Sequence, residues 1–313
     1  MASSERRPAY SVGLLEKLSG LAVDRLNREQ IGALRERYHA LRSRLRPVLR
    51  LLNGTFDAAT LRRHLEQRIE TSFEILMVHS SVNHMLPMFT GRPLDVLQML
   101  MEFCGPDRTL CMPAFYFGDP RASDVVASYQ RSALFDVRRT PSQMGVVTEL
   151  FRRTKGVKQS LHPTHRVAAI GPLAEALTAG HDTADSPCGR RTPFEFMAAR
   201  DTLILGIGKP FEVLTQVHHV EDVMGDAFPV PSEVQAVQMT LRDEQGEEHP
   251  HTLRVRRFQR RRNMWRLPEL MTDSRLQSWT FHQVPMFATR AQHVTEDLLA
   301  GAQRGITVFR DAR

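Results

Sequence analysis

From about Arg62 onward the chain alternates short apolar runs of strand length with longer stretches of helical periodicity, and no other feature of the sequence narrows its fold as much. Ile75-Leu-Met-Val78 reads as a buried strand running into His79-Ser-Ser81. Residues 93–103 read as an apolar helix stopped by Gly105-Pro106, and residues 109–112 as a second strand. Thr140-Pro-Ser-Gln-Met-Gly145 is expected to open another helix, with Thr140 as N-cap, Pro141 in the first turn and Gly156 as the stop. Further strands are expected over 167–170 and 202–207, separated by helices starting near Pro172 and at Thr192-Pro193. Alternating apolar positions over 237–241 and 253–255, on either side of a polar turn holding Gly246, predict a hairpin. The chain shows no internal repeat and no low-complexity tract. Such a series predicts an α/β layered domain.

The first 60 residues read differently and are expected to form a helical N-terminal extension, with the main domain over 61–313. Asn27-Arg-Glu-Gln30 has the form of a capping box. After it, Ile31, Leu34, Tyr38, Leu41, Leu45, Val48 and Leu52 recur at spacings of three and four, one apolar stripe flanked by arginines, which Pro47 should end or kink. The stripe either docks on its own domain or forms a contact between copies in a homo-oligomer.

Composition excludes several classes. At 313 residues, 42% hydrophobic and 25% charged, the chain can bury a sizeable core. No apolar run has the roughly 18 residues of a membrane span, and the opening Met-Ala-Ser-Ser-Glu-Arg-Arg-Pro has no signal-peptide character. Cys104, Cys111 and Cys188 make neither a disulfide framework nor a metal-ligand spacing. A cytoplasmic protein is expected. The net charge of +7 is local: Arg254-Val-Arg-Arg-Phe-Gln-Arg-Arg-Arg-Asn-Met-Trp-Arg266 holds seven arginines and no acid, and without it Lys plus Arg equals Asp plus Glu at 35 each. With Phe258 and Trp265 interleaved, this run could bind nucleic acid, contact cofactor phosphates, or simply cover surface.

Two histidine-bearing segments could do chemistry. Leu161-His-Pro-Thr-His165 places His165 on a stiffened loop at a strand edge, and an imidazole titrates near working pH. Val217-His-His-Val-Glu-Asp222 reads as helical, so His218 and Glu221 share a face. A carboxylate such as Glu221 meeting His165 would orient its ring and stabilise the imidazolium. The same residues offer metal ligands, but His-Glu-x-x-His is absent and no metal is expected. There is no P-loop, and Gly206-x-Gly208 followed by Lys-Pro is not a dinucleotide fingerprint. Ser80-Ser81 after the first strand and Pro141-Ser142 at a helix start could cradle an anion or a carbonyl. Residues 211–233 carry Glu212, Glu221, Asp222, Asp226 and Glu233 with no Lys or Arg, a stretch that could attract a cationic substrate.

In order and at compatible spacing, Leu76-Met-Val-His-Ser-Ser-Val82, Gly105-Pro-Asp-Arg-Thr-Leu-Cys-Met-Pro-Ala-Phe115, Phe135-Asp-Val-Arg-Arg-Thr-Pro-Ser-Gln-Met-Gly145, Ser160-Leu-His-Pro-Thr-His165, Pro187-Cys-Gly-Arg-Arg-Thr-Pro193, Leu203-Ile-Leu-Gly-Ile-Gly208 and Val217-His-His-Val-Glu221 resemble the aminoglycoside 3-N-acetyltransferase (antibiotic N-acetyltransferase) family. The resemblance implies a three-layer α/β/α domain and an acetyl-CoA-dependent transferase. By the same resemblance it would acetylate an amino group of an aminoglycoside or related amino sugar by direct transfer. It puts the catalytic histidine at His165 and its carboxylate partner at Glu221. The cofactor-facing loops fall on Ser80, Ser81 and Thr140 to Gly145, including Ser142 and Met144, and the acceptor side on His218 and Asp222. Departures from the family pattern include Arg166, where Ser is usual, and Lys-Pro-Phe-Glu after Gly208. An acyltransferase acting on another amine or a sugar hydroxyl, and an Arg-rich nucleic-acid-binding or scaffold protein, are the alternatives.

Overall fold

The computed structural model describes residues 45–310. The proposed capping box at Asn27 and the stripe from Ile31 to Leu41 lie outside the described residues. Helix α1 (Arg46–Asn53) has Pro47 in its first turn and leaves Leu45, Val48 and Leu52 exposed. It is followed by α2 (Ala58–Arg68), whose N-cap Asp57 accepts from Thr60 N at 2.7 Å. The packed core already takes in Phe56, within the segment assigned by sequence to the extension.

The order continues with β1 (Ile75–Ser80), α3 (Val82–Met85), α4 (Pro93–Cys104), β2 (Thr109–Pro113), α5 (Val125–Arg131), β3 (Leu134–Asp136), α6 (Val146–Arg152), β4 (Lys158–Gln159), β5 (Val167–Ile170), α7 (Ala174–Thr178) and α8 (Pro193–Ala198). Then come β6 (Thr202–Ile207), α9 (Val217–Met224), β7 (Ser232–Arg242), β8 (Glu248–Phe258), α10 (Leu267–Leu270), β9 (Leu276–Phe281), β10 (Val284–Arg290) and α11 (Ala291–Gln303). A seven-stranded mixed sheet runs β4-β5-β2-β1-β6-β10-β9, with β1 parallel to both β2 and β6. Because successive strand residues point to opposite faces, Leu76 and Val78 join α2, α4 and α6 in one core layer. Ile75 and Met77 join α8, α9 and α11 in the other. This is the layered α/β domain expected from the alternating pattern, in the three-layer α/β/α form that the family resemblance implies.

The hairpin is longer than its alternating core predicts. Strands β7 and β8 pair from Ser232↔Phe258 to Arg242↔Glu248, and with β3 they form a separate three-stranded sheet. Its apolar face, Leu241 and Leu253 among it, closes on Val126 and Tyr129 of α5.

Two sequence expectations change, and two strands went unread. Residues 140–145 are a loop, and the helix begins only at Val146 after Gly145, whose φ of +113° no helix accepts. That helix stops at Arg152, ahead of Gly156. Strands β9 and β10 carry Pro285 and a polar mixture, which hid them. They join through His282-Gln283, two non-glycine residues at φ +49° and +60°, the left-handed geometry of a tight hairpin. His282 holds its strained backbone with a 2.6 Å hydrogen bond from its ring to Asn53 O.

Gly206 and Gly208 are explained by packing. A Cβ on Gly206 would overlap the Phe287 ring from β10, and one on Gly208 would overlap the Ser81 carbonyl. Gly206→Ala should therefore lower stability by about 1–3 kcal/mol through overpacking, read as a reduced midpoint in thermal or denaturant unfolding. An unchanged midpoint would show that Phe287 has room to move.

Candidate active site

The loop between β4 and β5 is tied down on every side. Ser160 accepts from Val167 N at 2.9 Å and meets His181 Nδ1 at 2.8 Å. The Tyr129 hydroxyl donates to Pro163 O at 2.9 Å, and Tyr116 N donates to Thr164 O at 3.0 Å. His162 Nδ1 accepts both Thr164 N at 3.2 Å and His165 N at 3.0 Å, so it carries no proton there. His181 Nε2 meets Pro187 O at 2.7 Å, a contact that requires the ring to donate. A solvent-facing loop would spend few of these bonds; here they fix the backbone on either side of His165.

His165 is partly exposed. Its ring packs on Phe115 at 4.6 Å between centroids, and its Nδ1 lies 2.8 Å from Thr164 Oγ1. Nε2 has no hydrogen bond to the described residues. Burial, then the neighbouring His218 and further cationic groups, holds the imidazole well below its usual range, so it is neutral near pH 7.

The direct contact expected between Glu221 and His165 is not made. Glu221, on α9, is 3% exposed. Its Oε1 accepts from Arg262 Nε at 2.7 Å and its Oε2 from Arg262 Nη2 at 2.6 Å. The same Oε2 meets His218 Nδ1 at 3.1 Å. The His218 ring in turn stands edge-on to His165, with 5.9 Å between centroids. Burial alone would push the Glu221 carboxyl up, but the Arg262 fork and His218 reverse this and hold it at about 2. The carboxylate thus reaches the candidate base through a second imidazole. The expected spacing on one helix face is correct; the missing partner was an arginine 41 residues downstream.

Asp222 points elsewhere. It accepts Cys188 N at 2.8 Å, and burial raises its carboxyl above the ordinary range. The acid-rich stretch is mixed: Glu221 is buried and forked by Arg262, whereas Asp226, paired with Arg256 at 3.1 Å, and Glu212 and Glu233 are exposed. The arginine run is not a free basic patch either, since Arg256, Arg257, Arg262 and Arg266 each pair with a carboxylate.

The two loops expected to face the cofactor are neighbours. A Cβ on Gly145 would lie 3.7 Å from Ser80 O, and Gly208 abuts Ser81. Gln143 N donates to Phe115 O at 2.9 Å, joining the 140–145 loop to the residue that packs on His165. Ser142 N donates to Glu149 at 2.8 Å and Met144 N to Ser142 Oγ at 3.1 Å. Ser80 Oγ is buried without a hydrogen-bond partner among the described residues.

Sequence reasoning placed Arg166 only as a departure; the structure shows what it does. It is 1% exposed, and its guanidinium donates to Ala114 O at 3.3 Å, Val137 O at 2.7 Å and Thr140 O at 3.0 Å. Burial lowers it to about 10, which still leaves it charged at neutral pH. Arg166 thereby staples the entry of the 140–145 loop to the end of β2. A cleft of about 200 Å³ adjoins this region, lined by Leu161 and by Glu175, Asp182, Asp243 and Glu244. Among the described residues no cluster of three His, Cys, Asp or Glu side chains could hold a metal ion.

A mixed sheet between two helical layers, with an imidazole pair and a forked carboxylate on its connecting segments, defines an α/β protein. The sequence profile of the family described as aminoglycoside 3-N-acetyltransferase matches residues 77–299, more than two thirds of the chain. The chain belongs to the aminoglycoside 3-N-acetyltransferase family. It is 31% identical over 157 residues to aminoglycoside N(3)-acetyltransferase III of Pseudomonas aeruginosa, an alignment covering 47% of this chain and 57% of that protein. It thus spans little more than half of that curated relative. The fold matches AAC-VIa bound to sisomicin with a TM-score of 0.66, 20% identity, and coverage of 80% of this chain and 99% of the other. It matches AAC-IIIb in binary complex with CoASH with a TM-score of 0.64, 19% identity, and coverage of 82% and 100%.

Two measurements check this anatomy. Arg166→Met leaves three carbonyls without their donor, so amide protection over residues 137–145 should fall in hydrogen exchange, with a stability loss of about 1–3 kcal/mol. Unaltered protection would mean that the loop holds without the staple. Burial also depresses His181 to about 4 and His79 to about 3. The unfolded chain then binds more protons than the native one below about pH 6.5, so stability falls with acidification toward pH 4 by about 1.4 kcal/mol per pH unit per histidine. His181→Gln should remove one histidine's share of that slope in unfolding free energies measured from pH 7 to pH 4. An unchanged slope would place the protonation elsewhere.

Proposed function

We propose that the protein transfers the acetyl group of acetyl-CoA to an amino group of an aminoglycoside or related amino sugar, with His165 as general base. The observation that carries this is the neutral, partly exposed His165, whose Nε2 makes no hydrogen bond to the described residues, in a chain of this family. Relatives of the same fold bind sisomicin in one case and CoASH in another, which supports both substrates.

An alkylammonium has no lone pair, so its proton must leave as nitrogen attacks the thioester. His165 would take that proton on Nε2; as the C–N bond forms and the thioester C–S bond breaks, the second proton lost from nitrogen would end on the departing CoA thiolate, giving CoASH. The depressed pKa of His165 makes it a weak base in water, but the burial responsible also depresses the pKa of an ammonium brought beside it, narrowing the gap for transfer. Glu221, ionised and one imidazole away, would stabilise the resulting imidazolium through His218. Bound acetyl-CoA supplies the activated acyl group. The unpartnered Ser80 hydroxyl and the adjoining Ser81 and Thr140 to Gly145 segments are suited to face it. The reading further includes work in the cytoplasm, where acetyl-CoA is drawn on, and association of copies through α1, where Leu45, Val48 and Leu52 stay exposed.

Free-thiol release from acetyl-CoA, screened against aminoglycosides, amino sugars and sugar alcohols, tests the assignment. His165→Ala should lower kcat by roughly 10²–10⁴-fold, the usual share of a general base, while CoA affinity measured by calorimetry stays nearly intact. Full turnover in that variant would remove His165 from the chemistry. Turnover confined to a hydroxyl or a non-sugar amine would move the acceptor to another class.

A further inference from the structure

Building on the acetyl-transfer reading, we infer that Arg262 is a positioning residue of the site: its fork sets the Glu221 carboxylate, and through it the ring of His218 that faces His165.

Both oxygens of Glu221 are engaged, Oε1 by Arg262 Nε at 2.7 Å and Oε2 by Arg262 Nη2 at 2.6 Å. A planar guanidinium bound in this two-point manner fixes the carboxylate's plane as well as its distance. Oε2 keeps one further contact, 3.1 Å to His218 Nδ1. An ionised carboxylate can only accept, so His218 carries its proton on Nδ1 and a neutral ring has its lone pair on Nε2. The tautomer and tilt of the ring standing 5.9 Å from His165 are thus set by a carboxylate that is itself set by Arg262.

Arg262 is built to hold this geometry. Its guanidinium lies 5.2 Å from the Phe258 ring centre and 5.1 Å from that of Phe309. Its backbone bridges to Phe309, and the next residue, Asn263, donates its N–H to Val308 O at 2.6 Å. The C-terminal segment therefore braces an arginine that reaches back to α9. The groups facing Glu221 are Arg262 and His218, with Asp222 beside it on the helix and Cys188 across from it. Arg262 makes the fork and is the cation next to the carboxylate, so its loss should free the carboxyl to turn and let burial raise its pKa.

Purified full-length Arg262→Gln and Arg262→Lys test the assignment. With the acceptor found by screening, Arg262→Gln should lower kcat roughly 10–100-fold, less than loss of the base itself, with the KM for acetyl-CoA unchanged. Its acid limb in kcat/KM should move to higher pH. Removing the Arg262 charge lets the pKa values of His165 and Glu221, both held down by it, rise, so activity is lost earlier as pH falls. Arg262→Lys keeps the charge but not the fork, so its acid limb should stay low while kcat still falls. Millimolar guanidinium should restore part of the activity of Arg262→Ala. Independently of turnover, the His218 ring nitrogen resonances should shift in Arg262→Gln. Wild-type kcat and acid limb in Arg262→Gln, or unmoved His218 resonances, would overturn the role. If Arg262→Gln does not fold, wild-type kcat in Arg262→Lys would do the same. A wild-type protein that acetylates no acceptor would defeat the acetyl-transfer reading instead, and the resonance comparison would still decide for or against the clamp.

Discussion

The fork between Arg262 and Glu221 is the contact around which the chemical half of the molecule is arranged. A carboxylate 3% exposed on a helix facing the core would cost several kcal/mol if left alone, and burial would protonate it. Two hydrogen bonds from one guanidinium remove that penalty and fix the carboxylate's plane. The two charge anomalies of the chain, an acidic stretch near residue 220 and an arginine run near residue 260, pair with each other through Glu221–Arg262 and Asp226–Arg256.

Around that contact the site is assembled from segments far apart in the chain. The His162-Pro-Thr-His165 turn is held by Tyr129, Tyr116 and Val167, and its neighbour Arg166 reaches across to Val137 and Thr140. Phe115 links the two, its ring on His165 and its carbonyl on Gln143. A buried guanidinium satisfied by three carbonyls is an unusual staple, because none of its partners carries a compensating charge. It turns a departure from the family's pattern into a structural member of the same loop system.

Local signals were read well where they are written in one residue's neighbours. Strands β1, β2, β5 and β6 stand out as apolar runs, and Gly105 at φ +75° ends α4 as its position suggested. The loop over 140–145 was misread because Thr-Pro-Ser is equally suited to a helix start and to a turn. What separates the two is that Arg166, Gln143 and Phe115 bind the segment as a loop. Strands β9 and β10 were missed because their polar residues and Pro285 weaken the apolar signal, and because their tight turn uses His282 and Gln283 where glycine would be the usual marker.

The sequence by itself determined the layered architecture, the helix that puts His218 and Glu221 on one face, and the histidine turn, since each depends on periodicity or on residues within a few positions. Only the tertiary structure decided that Glu221 answers to Arg262 and reaches His165 through His218, and that Arg166 secures the Thr140 loop. Those pairings join residues tens of positions apart. Charge and hydrogen-bonding capacity are legible from residue type, but which donor meets which acceptor is chosen by how the strands and helices pack.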